Sequence, residues 1–302
     1  MILNASGCLD ALAAPDVAGQ LDAYVTKTVT PLPREGNAPV RIAETEVGML
    51  NSIGLANPGI NNFLAETLPR LLGLGLPVWV SVGGFSAAEY ADLCRRLDGT
   101  DAAVLELNLS CPNVAAPEDE AAEIVAASRA ATTKPLYAKL SPALPDVAAV
   151  ALAAAEAGAD GLSLVNTIRG LALDSGTLRP RLSTAVGGLS GPALRPLALA
   201  AVHACFRATG LPIVGMGGVE TGEHALELIA AGASQVALGT VLFADPGAPA
   251  RVREELAAAA AQRGFRDPLA ALGSAHEARE AQVPASVARA ENSSREALHR
   301  SG

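Results

Sequence analysis

The chain has 302 residues, 22 basic and 31 acidic side chains, a formal charge of −9, and a composition half hydrophobic with only 3% aromatic. That acidic balance, with no basic run, excludes a surface that holds nucleic acid through its phosphates. No apolar stretch nears the roughly 20 residues that span a bilayer, and Met1-Ile-Leu-Asn-Ala-Ser-Gly7 lacks the basic flank and apolar run of a signal peptide.

Short β-rich runs alternate with Ala/Leu/Glu/Arg runs of helical period, the pattern of a parallel sheet wrapped by helices. Strands are expected at 2–5, 23–27, 78–82, 104–108, 136–140, 161–165, 213–215 and 235–239. Helices are expected at 61–74, 87–97, 117–132, 146–157, 192–209, 221–231 and 248–262, with Gly158, Gly210 and Gly232 as helix stops. Eight such units predict an α/β fold, a single-domain (β/α)8 TIM barrel over 1–265. The stretch 30–60 breaks the rhythm with Pro31, Pro33, Gly36, Pro39, Gly48, Gly54, Pro58 and Gly59, and a long insertion at a barrel's top is usually functional. Residues 266–302 form a C-terminal helical or flexible tail, rich in Ala, Glu, Arg and Ser from about Ser274 onward.

A barrel carries its chemistry at the C-terminal ends of its strands. Those ends deliver Asn4 and Ser6, then Lys27 and Thr28, Ser81, Asn108 with Cys111 and Asn113, Lys139, and Asn166 with Thr167. The last two strands end in Gly215-Met-Gly217-Gly218 and Gly239-Thr240. One glycine turn after a strand is most often just a tight turn. Two on adjacent strands suit a phosphate, because glycine admits close backbone approach and free N–H groups carry partial positive charge. Lys27 and Lys139 sit in apolar surroundings, where a buried ammonium needs an anionic partner such as a phosphate or a reduced flavin; the plainer alternative is a pair of snorkelling surface lysines. The asparagines, Asn51 among them, offer uncharged donors and acceptors to a planar heterocycle. Cys8, Cys94, Cys111 and Cys205 share no short metal-ligand spacing, so a metal site is not expected and a reducing cytoplasm is. Cys94 and Cys205 fall within helices and read as packing. Cys111 is either a small buried hydrophobe or, between Asn108 and Asn113, a reactive thiol.

Taken together, Leu-Glu-Leu-Asn108-Leu-Ser-Cys111-Pro-Asn113 and Gly48-Met-Leu-Asn51-Ser-Ile-Gly54-Leu55 closely resemble the dihydroorotate dehydrogenases. The resemblance continues in order through Ala138-Lys139-Leu-Ser-Pro, Val165-Asn166-Thr167, Gly187-Gly-Leu-Ser-Gly191-Pro, Gly215-Met-Gly217-Gly218-Val-Glu-Thr and Leu238-Gly239-Thr240, over about residues 2 to 245. It implies FMN on a (β/α)8 barrel and oxidation of dihydroorotate at C5–C6, with hydride passing to flavin N5. Cysteine at 111 resembles the base of class 1 enzymes, and a thiol with an ordinary pKa of about 8.5 needs help to act at neutral pH.

The resemblance further implies that Lys27, Asn51, Ser52, Ile53, Gly54, Leu55, Asn108, Asn113, Asn166 and Thr167 hold the substrate. Ser6, Lys27, Thr28, Asn108, Lys139, Val165 and Gly191 would line the flavin, with Gly217, Gly218, Gly239 and Thr240 on its phosphate. Lys139 would stand by flavin N1, where a cation stabilises the charge gained on reduction. The wording around Gly187 and Gly215 is most similar to the class 1 type that pairs with an iron–sulphur flavoprotein subunit and passes electrons to NAD, around a homodimer core. Three departures accompany the match: the family's N-terminal hairpin is missing, the loop after Asn113 is short, and Ser81 replaces a common asparagine, one amide contact fewer to the flavin. A short loop admits more water or a larger substrate. Two alternatives therefore remain beside dihydroorotate oxidation, an FMN oxidoreductase acting on another heterocycle or enoate, and a non-catalytic barrel subunit.

Overall fold

The computed structural model describes residues 1–109 and 117–276. In chain order its strands are β1 (Ile2–Asn4), β2 (Tyr24–Val25), β3 (Ile42–Thr45), β4 (Gly48–Asn51), β5 (Val78–Val82), β6 (Val104–Asn108), β7 (Leu136–Leu140), β8 (Gly161–Leu164), β9 (Ile168–Leu171), β10 (Val186–Ser190), β11 (Ile213–Met216) and β12 (Gln235–Leu238). Eight of them form one parallel sheet in the order β1-β12-β11-β8-β7-β6-β5-β2, and all eight coincide with strands expected from the sequence.

The two ends of that sheet meet to close a barrel. Between β1 and β2 the ladder shrinks to a parallel bridge from Leu3 to Ala23, and a side chain completes it. The Asn4 carboxamide accepts from the Val25 N–H at 2.8 Å and donates to the Val25 carbonyl at 2.8 Å, so it stands in for a strand neighbour. Asn4 is fully buried and is committed to this seam.

Alternation along each strand divides the apolar residues between two cores. Leu105, Leu107, Leu136, Leu140, Leu162 and Leu164 face outward into the layer shared with the helices. Leu3, Val25, Trp79, Val104, Tyr137, Val214, Met216 and Ala237 face inward and fill the barrel floor. There Trp79 and Tyr137 lie 4.8 Å apart between ring centroids in a tilted pair. Gly161 is required beside them, since a Cβ at that position would collide with the Tyr137 ring.

Helices Ala87–Asp98, Val147–Glu156 and Gly222–Ala231 start at Ser86, Asp146 and Thr221, each accepting a hydrogen bond from a first-turn N–H. The helix expected over 61–74 is divided into Gly59–Asn62, a wider π turn Phe63–Thr67, and Leu68–Leu72. The expected insertion at 30–60 carries β3 and β4, which pair antiparallel with each other and, through β10, with β9. The sequence pattern predicts no strands here, because this second sheet is built from short, half-exposed segments. After the helix Ala248–Gln262, the chain returns onto the barrel, with Ala271 fully buried and the His276 ring stacked 4.0 Å from His203.

Candidate active site

The inward positions just above the floor are polar. A hydrogen-bonded chain of side chains crosses the mouth. The Ser6 hydroxyl donates to the Thr26 carbonyl at 2.8 Å and lies 3.5 Å from the Thr28 hydroxyl. Thr28 is 3.0 Å from the Ser81 hydroxyl and accepts from the Asn108 amide at 3.3 Å. The Asn166 amide donates to Asn108 Oδ1 at 3.2 Å, and Asn166 Oδ1 accepts from the Thr167 N–H at 2.8 Å. Five expected site residues, Ser6, Thr28, Asn108, Asn166 and Thr167, therefore meet in one network, and Ser81 joins it through Thr28. The Tyr90 hydroxyl donates to the Asn108 carbonyl at 2.6 Å and steadies the end of β6 from the helix side.

The two lysines differ. The Lys139 ammonium lies 3.5 Å from Glu106 Oε1, with side chains only 6% and 2% exposed. Lys27 packs its stem over Gly7, where a Cβ would come within 2.7 Å of it, and no carboxylate pairs with it among the described residues. Burial pulls the Lys27 ammonium below the usual lysine range, with Cys8 opposing and Lys139 reinforcing that pull. Cys8 is the thiol beside both lysines; burial pushes it above the ordinary cysteine value and the two cations draw it back. The Cys94 and Cys205 thiols, pushed by burial to about 11 and about 12, are the packing residues their helical positions suggest. A cavity of about 430 Å³ opens beside Lys27, between Cys8, Tyr24, Asn57, Phe63 and Phe243.

The glycine turns form a cradle at the ends of β11 and β12, next to β1. Gly191, Gly217 and Gly218 all hold positive φ, which favours glycine. A Cβ on Gly218 would fall 2.8 Å from the Gly191 carbonyl, and one on Gly217 3.3 Å from the Val165 side chain, so the two turns and Val165 converge. The Thr240 hydroxyl bonds Ser190 at 2.8 Å, bringing the Gly239-Thr240 turn to the same edge. The backbone N–H groups of Gly217, Gly218, Gly239 and Thr240 meet no acceptor among the described residues. Unpaired donors beside a backbone surface that a Cβ would fill suit an anion such as a phosphate.

Asn51 ends β4 on the second sheet, and residues 52–55 form the loop that follows it. The Asn51 amide donates to the Gly188 carbonyl at 3.2 Å, and Gly188 lies against the Thr167 side chain, so this sheet touches the mouth network at Thr167. Ser52 accepts from Asn37 at 2.8 Å and from Thr184 at 2.7 Å. The Ile53 carbonyl accepts from the Asn37 N–H at 3.0 Å, while Gly54 and Leu55 both hold positive φ. Cys111 and Asn113 lie outside the described residues. Glu106 and Cys8 were not singled out from the sequence as site residues; the signal for Glu106 was a lone charge between two leucines on a strand buried on both faces.

Known proteins resemble this chain in sequence and in fold. The family model described as dihydroorotate dehydrogenase matches residues 1–259. The chain is 47% identical over 270 residues to a protein of Desulforudis audaxviator named dihydroorotate dehydrogenase B (NAD(+)), catalytic subunit, covering 86% of this chain and 87% of that one. It is 45% identical over 254 residues to a putative dihydroorotate dehydrogenase A (fumarate) of Solibacter usitatus, covering 82% and 84%. Among solved structures, the Eimeria tenella enzyme described as DHODH in complex with ferulenol superposes with a TM-score of 0.76 at 24% identity, over 92% of this chain and 85% of that one, a likeness of fold. No helix among the described residues is long and apolar enough to cross a membrane. With its family model matched over most of its length and relatives above 40% identity, this chain belongs to the dihydroorotate dehydrogenase family.

Proposed function

We propose that this chain oxidises dihydroorotate to orotate at FMN held in the barrel mouth, with Cys111 as the base. Family membership carries the reaction, oxidation of a CH–CH bond in pyrimidine biosynthesis, and the cofactor, since dihydroorotate dehydrogenases are FMN flavoproteins. The observation that supports the placement is the pairing of an anion cradle with a polar, cation-bearing mouth.

Gly217, Gly218, Gly239 and Thr240 would hold the FMN phosphate with their free N–H groups. Ser6, Thr28, Asn108, Lys139, Val165 and Gly191 would line the ring system. When bound, FMN would supply the acceptor for the hydride lost from C6 of dihydroorotate. Cys111 takes the proton from C5, so the two hydrogens leave from adjacent carbons as a proton and a hydride. Lys27 reaches substrate and flavin together, and Asn51 to Leu55, Asn108, Asn113, Asn166 and Thr167 orient the ring of the substrate. Tying Asn108 to Thr28 and Asn166 fixes these amides before substrate arrives, which lowers the entropic cost of orientation.

The catalytic-subunit names of the relatives imply a partner subunit. We assign that partner as an iron–sulphur flavoprotein that passes electrons to NAD, around a homodimer of this chain in the cytoplasm.

Anaerobic addition of dihydroorotate to the FMN-loaded protein should bleach the oxidised-flavin band. Cys111→Ala should slow that bleaching by about a hundredfold to ten-thousandfold. Re-oxidation by NAD should require the partner flavoprotein. A yellow protein that dihydroorotate leaves yellow would turn the assignment toward another heterocycle or enoate, and a chain that takes up no FMN would end it.

A further inference from the structure

Among the described residues the barrel interior holds one carboxylate. Glu106 sits on β6, with its strand neighbours Leu105 and Leu107 turned outward into the helix layer. Its side chain is 2% exposed and meets the Lys139 ammonium at 3.5 Å. Packing does not account for it. Barrel interiors are normally filled by branched aliphatic side chains, as Val104 does one inward position below. A buried ion pair is often no more stabilising than apolar residues of the same volume. The surroundings are also spare: Ser81 is the register partner of Glu106 on β5, Ser163 is that of Lys139 on β8, and the buried Ser163 hydroxyl has no hydrogen-bond partner. One 3.5 Å contact leaves the Lys139 ammonium with donors to spare for a group above it.

Charge arithmetic gives the pair a purpose. Inside the barrel the mouth presents two ammonium groups, Lys27 and Lys139, against one carboxylate, a surplus of one positive charge; Asp10, which also lines the cavity beside Lys27, is exposed to solvent. A hydride added to a neutral flavin ring leaves the ring with one negative charge. We propose that Glu106 is a positioning residue that acts through Lys139 and sets the charge of the mouth so that one surplus cation meets the one charge the flavin gains; this rests on the FMN reading above. With Glu106 ionised, the site neither rejects the reduced ring nor holds it too firmly to be re-oxidised. With that charge removed, the mouth carries two surplus cations and favours the reduced ring.

The test is the ratio of reduced to oxidised bound FMN at a fixed anaerobic poise against a redox dye, read by absorbance in the parent, E106Q, K139M and E106Q/K139M. Removing one buried unit charge should move the ratio by about tenfold or more. The ratio should rise in E106Q and fall in K139M, and the double variant should return to within about threefold of the parent. A merely structural Glu106 would leave E106Q unchanged, and one that only holds Lys139 in place would make E106Q fall as K139M does; either result overturns the inference. Should E106Q fold without retaining FMN, K139M against the double variant decides, because a double variant as low as K139M also overturns it. Loss of FMN from all three variants does the same, since charge setting predicts that the double variant keeps it. A parent protein that takes up no FMN is a different failure, that of the functional reading itself.

Discussion

On four barrel strands the inward position changes character within two residues: Val25 gives way to Lys27, Trp79 to Ser81, Val104 to Glu106 and Tyr137 to Lys139. The floor and the mouth share strands, register and burial, yet one is dry and aromatic and the other holds ions and hydroxyls. The floor supplies the free energy that the mouth spends. A closed barrel lets a single strand do both, because period-two alternation keeps the same face inward while the chemistry along that face is free to change.

The sharpest way to break this comparison is at the floor. Trp79→Ala should lower unfolding free energy by about 3–5 kcal/mol, the usual loss for a large buried aromatic, measured by urea denaturation of the FMN-free protein. A loss under about 1 kcal/mol would mean that the Trp79–Tyr137 layer is not what stabilises the barrel. The seam should come next. Asn4→Ala removes both bonds to Val25 and leaves a buried N–H and carbonyl unpaired, for an expected loss of about 2–3 kcal/mol. Amide exchange at Val25 should quicken in the same variant, and unchanged protection there would show that the seam closes without the carboxamide.

The mouth should respond with the smallest effect and the opposite sign. Lys27 has no carboxylate partner among the described residues, and burial holds its folded pKa below the unfolded value of 10.5. A lysine depressed in this way costs stability at neutral pH, and the cost lifts as pH rises from the folded pKa toward the unfolded one, where the unfolded chain binds more protons. Lys27→Met should therefore raise the Tm of the FMN-free protein by about 1–3 °C near neutrality. The advantage should shrink as pH approaches 10.5. A variant less stable than the parent at neutral pH would show that Lys27 is held by attraction rather than against desolvation.

The barrel was legible because parallel strands buried on both faces read as short apolar runs bounded by glycine and proline, and 78–82 and 136–140 have that form. The second sheet was not, because β3 exposes Ile42 and Glu44 while β10 contains Gly187 and Gly188 and is only half-buried throughout. Neither shows a clean period, and both depend on tertiary pairing. Helix 61–74 reads as continuous from its period, yet the π turn Phe63–Thr67 divides it just before Pro69, which has no N–H to continue the helix ladder.

Much of the candidate site followed from position alone. Residues at strand ends must converge, and the network from Ser6 through Thr28 and Asn108 to Thr167 does so. Glu106 escaped notice because a charge inside a strand suggests a solvent face. In a closed barrel the second face is the interior, and that inference reverses. Cys8 escaped because its neighbours in space, Lys27 and Lys139, lie far from it in sequence.

The seam has a consequence for biosynthesis. β1 takes its ladder partner from β12, with Ile2 beside Val236 and Asn4 beside Leu238. On the ribosome, the first strand made must wait for the last strand before either has its full complement of bonds. Until then, β1 and β2 have little but the Leu3–Ala23 bridge and the Asn4 carboxamide to hold them together. The nascent chain is thus an open, edge-exposed sheet for most of its synthesis, and a chaperone that shields β1 and the growing edge of the sheet would act on the stage at which this protein is most prone to aggregate.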